Sequence, residues 1–218
     1  VSPSYAEQLK VAGDGLEHII TDISGINNAL ATDFADRARE AVSSSGVIET
    51  HFAKALDAAT TTSPLRVSLE KRYPELLDED TPIESITPAA RREIVSRMRY
   101  KLAAQQMYGL SVSPDTPLLT MLHRVADQKG FQLLLESAEE LCKNLGIQLI
   151  AGGPVAWEDE QSRAIARGLE GLAAFYPESA SIHLGFHDVR LPLLASDAFL
   201  MPSRHEPGGI SQLEALVC

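Results

Sequence analysis

A charged cluster, a glycine turn and an amphipathic stretch follow one another near the end of the sequence. Residues 197–218 read DAFLMPSRHEPGGISQLEALVC, which predicts a short strand, a loop and a helix from Ile210 onward. Gly208 and Gly209 lie where the loop becomes the helix, so the backbone can approach a ligand and the first helical N–H groups can hold an anion. Glu206 lies at the rim of this turn. Ligands of open α/β sheets bind outside the carboxyl ends of strands, which makes this rim a candidate active site.

Two cations flank an earlier turn. Residues 123–130 read HRVADQKG and follow a short apolar run. Arg124 and Lys129 are five residues apart on either side of a predicted strand-to-helix turn. Together they can hold a diphosphate, the guanidinium through paired hydrogen bonds and the ammonium as a point charge. Two unrelated surface cations are the alternative, and the second cluster around Glu206 favours the anion site.

The order of these motifs resembles that of one enzyme family. The segment SDAFLMPSRHEPGGISQLEAL is similar to the donor-site signature of glycogen and starch synthases, usually D-x-x-L-x-P-S-R-x-E-P-C-G-L-x-Q-L. HRVADQKG resembles their S-R-L-x-x-Q-K-G, and the opening VSPSYAEQL resembles the end of their acceptor-side domain. The family consists of retaining GT-B glycosyltransferases. The resemblance covers residues 1–26 and roughly 95–218 of this chain.

The resemblance implies catalytic roles for three residues. Glu206 would contact the donor sugar and help to stabilise an oxocarbenium-like transition state. Arg124 and Lys129 would hold the diphosphate of an ADP- or UDP-sugar. Enzymes of this type use no essential metal or other cofactor, so cations and helix N-termini must neutralise the departing nucleoside diphosphate. The acceptor would be an α-glucan.

Further residues would bind the nucleotide. Phe186 belongs to IHLGFHD, which resembles the family's I-G-Y/F-x-E/D, and would stack on the nucleobase, although a core position at a strand end is the alternative. Glu214 would reach the ribose, with an exposed helix position as its alternative. The backbone N–H groups that would bind phosphate and sugar are those of Gly208, Gly209 and Ile210.

Departures from the family pattern leave two other hypotheses open. Gly208 replaces the usual Cys, and Glu214 gives a Glu-x7-Glu spacing typical of the wider retaining GT-B group. Both favour a related GT-B enzyme with another donor or acceptor. Residues 25–30 depart from the family's G-I-x-N-G-I-D, and residues 31–87 form a longer connection than usual. These two features favour a catalytically degenerate GT-B module used for binding or scaffolding.

The elements that must position these residues alternate between strand and helix. Strands are predicted at 118–122, 147–151, 181–185 and 198–201, with helices at 128–144, 157–175 and 188–195 between them. This spacing predicts an α/β fold with a Rossmann-like parallel sheet. We divide the chain into the tail of an acceptor-side domain (1–30), a helical linker or insertion (31–112) and an incomplete GT-B donor domain (113–218).

A mostly helical segment precedes the sheet. Residues 31–60 have a helical pattern that Ser43–Gly46 interrupts, and a second helix is predicted to begin at Pro88. Its apolar stripe is predicted to comprise Ile94, Met98, Leu102 and Met107. Its basic residues, predicted to form a solvated face, are Arg91, Arg92, Arg97, Arg99 and Lys101.

Composition excludes several classes of protein. The 218 residues carry a net charge of −11, which argues against nucleic-acid binding. No apolar run reaches the ~18 residues of a membrane span, and no signal peptide is visible. The two cysteines have no metal-site spacing and predict free thiols in a reducing compartment, such as cytoplasm or plastid stroma.

Both ends of the sequence fall within motifs, so we interpret the chain as a piece of a larger enzyme. It begins without Met and stops inside an amphipathic helix. Because a parallel sheet is normally covered on both faces and complete in its strands, the rest of the chain or an oligomeric partner is expected to complete it. The isolated piece is expected to bind a nucleotide weakly at most and not to turn over.

Overall fold

The computed structural model describes residues 32–58, 88–205 and 210–218. Three predicted site residues, Glu206, Gly208 and Gly209, lie outside the described residues. Three helices come first: α1 (32–44), α2 (Val47–Ala58) and α3 (Pro88–Met107). The elements that follow are β1 (Leu118–Leu122), α4 (Phe131–Glu139), β2 (Gln148–Gly153), α5 (Glu160–Phe175), β3 (Ala180–Leu184), α6 (Arg190–Ala195), β4 (Ala198–Phe199) and α7 (Ile210–Val217).

The four strands form one parallel sheet in the order β3-β2-β1-β4. Since parallel strands need crossover connections, a helix lies between each consecutive pair of strands. The carboxyl ends of all four strands therefore meet at one edge. The predicted α/β class, with a Rossmann-like parallel sheet after a mostly helical segment, is confirmed.

Apolar residues cover both faces of the sheet, as expected for parallel strands. Successive side chains of a strand point to opposite faces. Leu118 and Ile150 accordingly pack on one face with α1, α3 and α6. Met121 and Leu149 pack on the other face with α4 and α5. The sheet is thus the middle layer of a three-layer structure.

Several element boundaries differ from the prediction. The helix predicted at 128–144 is three pieces: a 3₁₀ turn (Asp127–Lys129), α4 and a π-helical turn (Glu140–Asn144). Gly130 separates the first two because its φ is +81°, in the left-handed region. The last predicted strand is shorter, since only Ala198–Phe199 pairs with β1.

The preceding helices share a core with the sheet. Ala35, Ala38 and Val42 of α1 are buried in the same cluster as Leu118, and a turn at residues 45–46 separates α1 from α2, as predicted. Two predictions for α3 are wrong. Met107 is 48% exposed and does not continue the apolar stripe. Lys101 is 6% exposed and is not part of a solvated face.

The thiols of Cys142 and Cys218 are both free and buried, and burial raises the pKa of each. Over the described part of the chain, no helix combines the length and the apolar character needed to cross a membrane.

Candidate functional site

A cleft of about 370 Å³ opens at the edge where the strands end. Arg124 follows β1, Phe186 follows β3 and Lys129 lies in the 3₁₀ turn, so the structure brings three predicted site residues to one cavity. Ser211, in the first turn of α7, lines the same cleft. Arg124 is exposed and Lys129 is half-buried. The cleft therefore presents two cations beside an aromatic ring and a helix N-terminus.

Gly152 and Gly153 form the part of the cleft wall that ends β2. Their φ angles are +132° and +140°. A Cβ on Gly152 would lie 2.1 Å from the His183 carbonyl oxygen, and one on Gly153 would lie 2.1 Å from that of His123. The glycines are thus required by the close approach of neighbouring strands. Main chain instead of side chain lines this wall.

The Phe186 ring is 96% exposed, so the alternative of a core phenylalanine is wrong. Three other rings, of which His187 also lines the cleft, are in contact with one another. His183 is 5.2 Å from His187 and 4.8 Å from Tyr108, between ring centroids. Burial, and then the nearby His187, lowers the pKa of His183. Burial and the charge of Asp188 raise the pKa of Tyr108 to about 12.

The rim that carries Lys129 is bound to the segment after β4. The main-chain N–H of Arg204 donates to the Gln128 carbonyl oxygen over 3.0 Å, and the Gln128 side-chain amide donates to the His205 carbonyl oxygen over 2.8 Å. The Arg204 guanidinium pairs with Asp127 at 2.8 Å. The two segments run side by side because β1 and β4 are neighbours in the sheet.

Closer to the sheet, the same two segments touch through a glycine and a histidine. A Cβ on Gly130 would lie 2.4 Å from the Pro202 carbonyl oxygen, so only glycine fits there. His123 is buried, with its Nε2 atom 3.1 Å from the Leu200 carbonyl oxygen and its ring against Phe199. A main-chain contact at Gly130 and the buried His123 side chain therefore join the two segments here.

Sequence reasoning missed part of this arrangement. His187, Val189 and Ser211 line the cleft but were not predicted as site residues. His187 and Ser211 lie within motifs already singled out, so their positions beside Phe186 and Ile210 were the available signal. Asp127 and Gln128 lie in the HRVADQKG motif, but nothing local indicated that they contact residues 204 and 205.

Glu214 occupies the second turn of α7 and is half-buried. Burial raises the pKa of its carboxyl group above the ordinary value. Among the described residues it is not part of the cleft lining. Ile210 begins α7, which agrees with the predicted helix start. The ribose contact of Glu214 and the phosphate-binding role of Ile210 remain predictions.

A comparison with known families agrees with this geometry. The model of the family "Glycosyl transferases group 1" matches residues 109–218, which is half of the chain and contains the whole sheet and the whole cleft. The chain belongs to this glycosyltransferase family. Helices α1 and α2 lie outside the matched region.

Curated relatives are glycogen synthases. One from Syntrophotalea carbinolica is 37% identical over 131 residues, which are 59% of this chain and 26% of that protein. One from Streptococcus equi subsp. equi is 30% identical over 227 residues, 99% of this chain and 37% of that protein. The chain thus spans about a quarter to a third of these relatives.

One solved structure shows a partial likeness. It is the catalytic domain of starch synthase IV from Arabidopsis thaliana, bound to ADP and acarbose, with 26% identity and a TM-score of 0.48. The likeness covers 55% of this chain and 24% of that one.

Among the described residues, the charged side chains that line the cleft are cationic. Arg124 and Lys129 both line it. Within residues 32–58, 88–205 and 210–218, no group of three or more His, Cys, Asp or Glu side chains is arranged to hold a metal ion. A ligand with negative charge suits the described wall of the cleft best.

Proposed function

We propose that the full-length protein transfers glucose from ADP-glucose or UDP-glucose to the non-reducing end of an α-1,4-glucan, with retention of configuration. The observation that carries this proposal is the convergence of Arg124, Lys129 and Phe186 on one cleft at the carboxyl ends of parallel strands. A nucleoside diphosphate needs cations for its phosphates and a flat surface for its base, and this cleft offers both. The glycogen synthase relatives support the glucan acceptor.

In the proposed reaction, the bond between the glucosyl C1 and the diphosphate oxygen breaks while an acceptor hydroxyl attacks C1 from the same face. The hydroxyl proton leaves with the nucleoside diphosphate. Arg124 and Lys129 stabilise the negative charge that develops on the leaving group. Glu206 stabilises the positive charge that develops on the sugar. No metal ion is needed because the two cations and the start of α7 supply the compensating charge.

We assign the nucleoside of the donor to the side of the cleft that Phe186 lines. Phe186 stacks on the base, where its exposed ring is accessible. Glu214 reaches the ribose. The main-chain N–H groups proposed to bind the phosphates and the sugar are those of Gly208, Gly209 and Ile210.

A second candidate is a related transferase with another sugar donor or acceptor. Gly208 in place of the family's Cys and the carboxylate of Glu214 favour it. Both candidates require a nucleoside diphosphate in the same place. A degenerate binding module is less consistent with a cleft that retains both Arg124 and Lys129.

Calorimetric titration of the full-length protein with ADP-glucose and UDP-glucose tests the proposal. The titrations contain EDTA, so that binding also reports on the need for a metal. We expect one donor to bind and Arg124→Ala to weaken it about 10- to 100-fold, since charge-assisted hydrogen bonds contribute about 1.5–3 kcal/mol.

Arg167→Ala is the matched control, because Arg167 is exposed on α5 and does not line the cleft. It should leave the affinity unchanged. Binding of neither donor by the wild type would refute glucose transfer from these nucleotides, and equal losses in both variants would refute the site.

A further inference from the structure

The structure joins two loops that the proposed reaction uses separately. Gln128 immediately precedes Lys129, and His205 immediately precedes Glu206. Gln128 accepts a hydrogen bond from the Arg204 main-chain N–H at 3.0 Å. Its side-chain amide donates to the His205 carbonyl oxygen at 2.8 Å. Gln128 thus bonds the main chain of two consecutive residues of the other loop.

We infer that Gln128 is a positioning residue that fixes the backbone leading into Glu206 relative to Lys129. It acts through the His205 carbonyl and the Arg204 amide and does not line the cleft itself. This inference rests on the proposed function, because it assigns to Gln128 the task of aligning the sugar-binding and diphosphate-binding halves of that site.

The ion pair beside Gln128 is a weaker tether. Asp127 and Arg204 side chains are 29% and 69% exposed, so solvent and salt screen their attraction. The two hydrogen bonds of Gln128 involve the main chain of residues 204 and 205, which fixes direction as well as distance. Gly130 adds a further contact between the two loops, since the Pro202 carbonyl oxygen packs against it and leaves no room for a side chain.

Alignment matters more for transfer than for stability. Gln128 is exposed, so losing its amide removes little buried contact. A displacement of about 1 Å between reacting groups can nevertheless lower a rate about 100-fold. Loss of the Gln128 amide should therefore reduce turnover without a matching loss of nucleotide binding, because Arg124 and Lys129 remain in place.

The test compares the full-length wild type with Gln128→Ala and Gln132→Ala. Gln132 is the matched control: it is an exposed glutamine on α4 whose amide donates to Glu136 of the same helix. For each protein we would measure kcat for glucosyl transfer, the Kd of ADP and UDP, and Tm. Gln128→Ala should lower kcat about tenfold, as expected for loss of an aligning hydrogen bond. Its Kd and Tm, and all three quantities for Gln132→Ala, should match the wild type.

Each other outcome is decisive. A Gln128→Ala variant with wild-type kcat refutes the positioning role while leaving the proposed function intact. Parallel losses of kcat, nucleotide affinity and Tm would show that Gln128 is merely structural. A wild type that binds nucleotide but transfers no glucose refutes glucose transfer, and the inference with it.

Discussion

The two edges of the sheet use polar residues in opposite ways. At the amino ends of the strands, here called the amino edge, the side chains of Lys101, Gln105 and Gln148 are buried and hydrogen-bonded. At the carboxyl edge, Arg124 and Phe186 are exposed and the wall between them is glycine backbone. The sheet is the same, so the two edges differ in how far their described side chains are exposed to solvent.

Lys101 shows how the amino edge is closed. Its Nζ atom donates to Asp197 Oδ2 at 2.7 Å and to the Pro114 carbonyl oxygen at 3.1 Å. The same Oδ2 atom accepts from the Leu118 main-chain N–H at 2.7 Å. This one carboxylate therefore links α3 to the first residues of β1 and β4.

A second closed group surrounds Gln105 and Gln148, both buried. The Gln105 amide donates to Gln148 Oε1 at 2.8 Å, and its own oxygen accepts from the Ser113 main-chain N–H. The Gln148 amide donates to the Ser111 carbonyl oxygen at 2.6 Å. A buried polar network stabilises a fold only when its members are satisfied, and these amides are. The amino edge thus stabilises the fold, and the carboxyl edge retains capacity for a ligand.

The substitution with the largest expected effect is made at Gly130, on the carboxyl edge of the sheet. Gly130→Ala places a methyl group 2.4 Å from the Pro202 carbonyl oxygen on a backbone with φ of +81°. Both the overlap and the left-handed conformation oppose it, so we expect a loss of about 3 kcal/mol or more in stability. The loop that leads to Glu206 should move, and donor affinity should fall with it.

Gly146→Ala is the matched control for this change. Gly146 has φ of +63°, but a Cβ there meets nothing within 4 Å. In Gly146→Ala only the cost of holding alanine in the left-handed conformation remains, about 1 kcal/mol in the free energy of unfolding. Thermal unfolding and donor titration of both variants measure the difference in their stability and in their affinity for the donor. Equal losses in the two variants would mean that the contact with Pro202 does not matter.

The substitution with the next largest expected effect, Asp197→Ala, tests the amino edge. Asp197→Ala leaves the buried Lys101 ammonium and the Leu118 N–H without their shared acceptor. We expect the free energy of unfolding to fall by about 2–3 kcal/mol. This loss is smaller than that for a fully buried pair because the Asp197 side chain is 48% exposed. We expect Tm to fall by about 5–10 °C. The Kd of the donor, measured below the new Tm, should change little.

The exposed pair Lys143–Glu139 gives the control. Its side chains are 63% and 66% exposed, and Lys143→Ala should leave Tm unchanged. A shift as large as that of Asp197→Ala would show that burial is not what gives the amino-edge pair its effect. A large loss of donor affinity in Asp197→Ala would show that the two edges are not independent.

The two edges also differ in how much the sequence revealed. The strand Leu118–Leu122 has the predicted bounds, because a short apolar run between turn signals is a local pattern. The spacing of Arg124 and Lys129 about a strand-to-helix turn indicates an anion site, and Phe186 joins them through the resemblance of its motif to a family segment. The carboxyl edge was therefore accessible to reasoning from motifs.

The amino edge was not. Helical periodicity assigned Lys101 to a solvated face, but its partner Asp197 is 96 residues away in the chain. The hydrogen-bonded pair Gln105–Gln148 likewise joins residues 43 apart. Such contacts depend on which strands become neighbours, and β4 lies beside β1 although it is last in the chain. Local pattern carries no information about that order.

The smallest expected effect concerns the contacting rings of Tyr108, His183 and His187. His183 contacts Tyr108, His187 and the Ser181 hydroxyl, and its pKa is lowered chiefly by burial and then by His187. Since the folded-state pKa lies below the ordinary value of about 6.5, the unfolded chain takes up a proton first as the pH falls. The stabilising contribution is therefore complete above about pH 6.5 and is lost progressively below it.

Thermal unfolding between pH 5 and pH 8 measures this contribution as the difference between wild type and His183→Gln. We expect the wild type to lose about 1–2 °C more than the variant on acidification, a small shift because His183 is only half-buried. His187→Gln should reduce that excess, because it removes the electrostatic contribution of His187 to the lowered pKa of His183 and leaves the burial of His183. An identical pH dependence in wild type and His183→Gln would mean that His183 is as easily protonated in the fold as in the unfolded chain. The ring cluster would then be as open to water as the Phe186 ring, and the contrast between the exposed Phe186 and the half-buried His183 would fail.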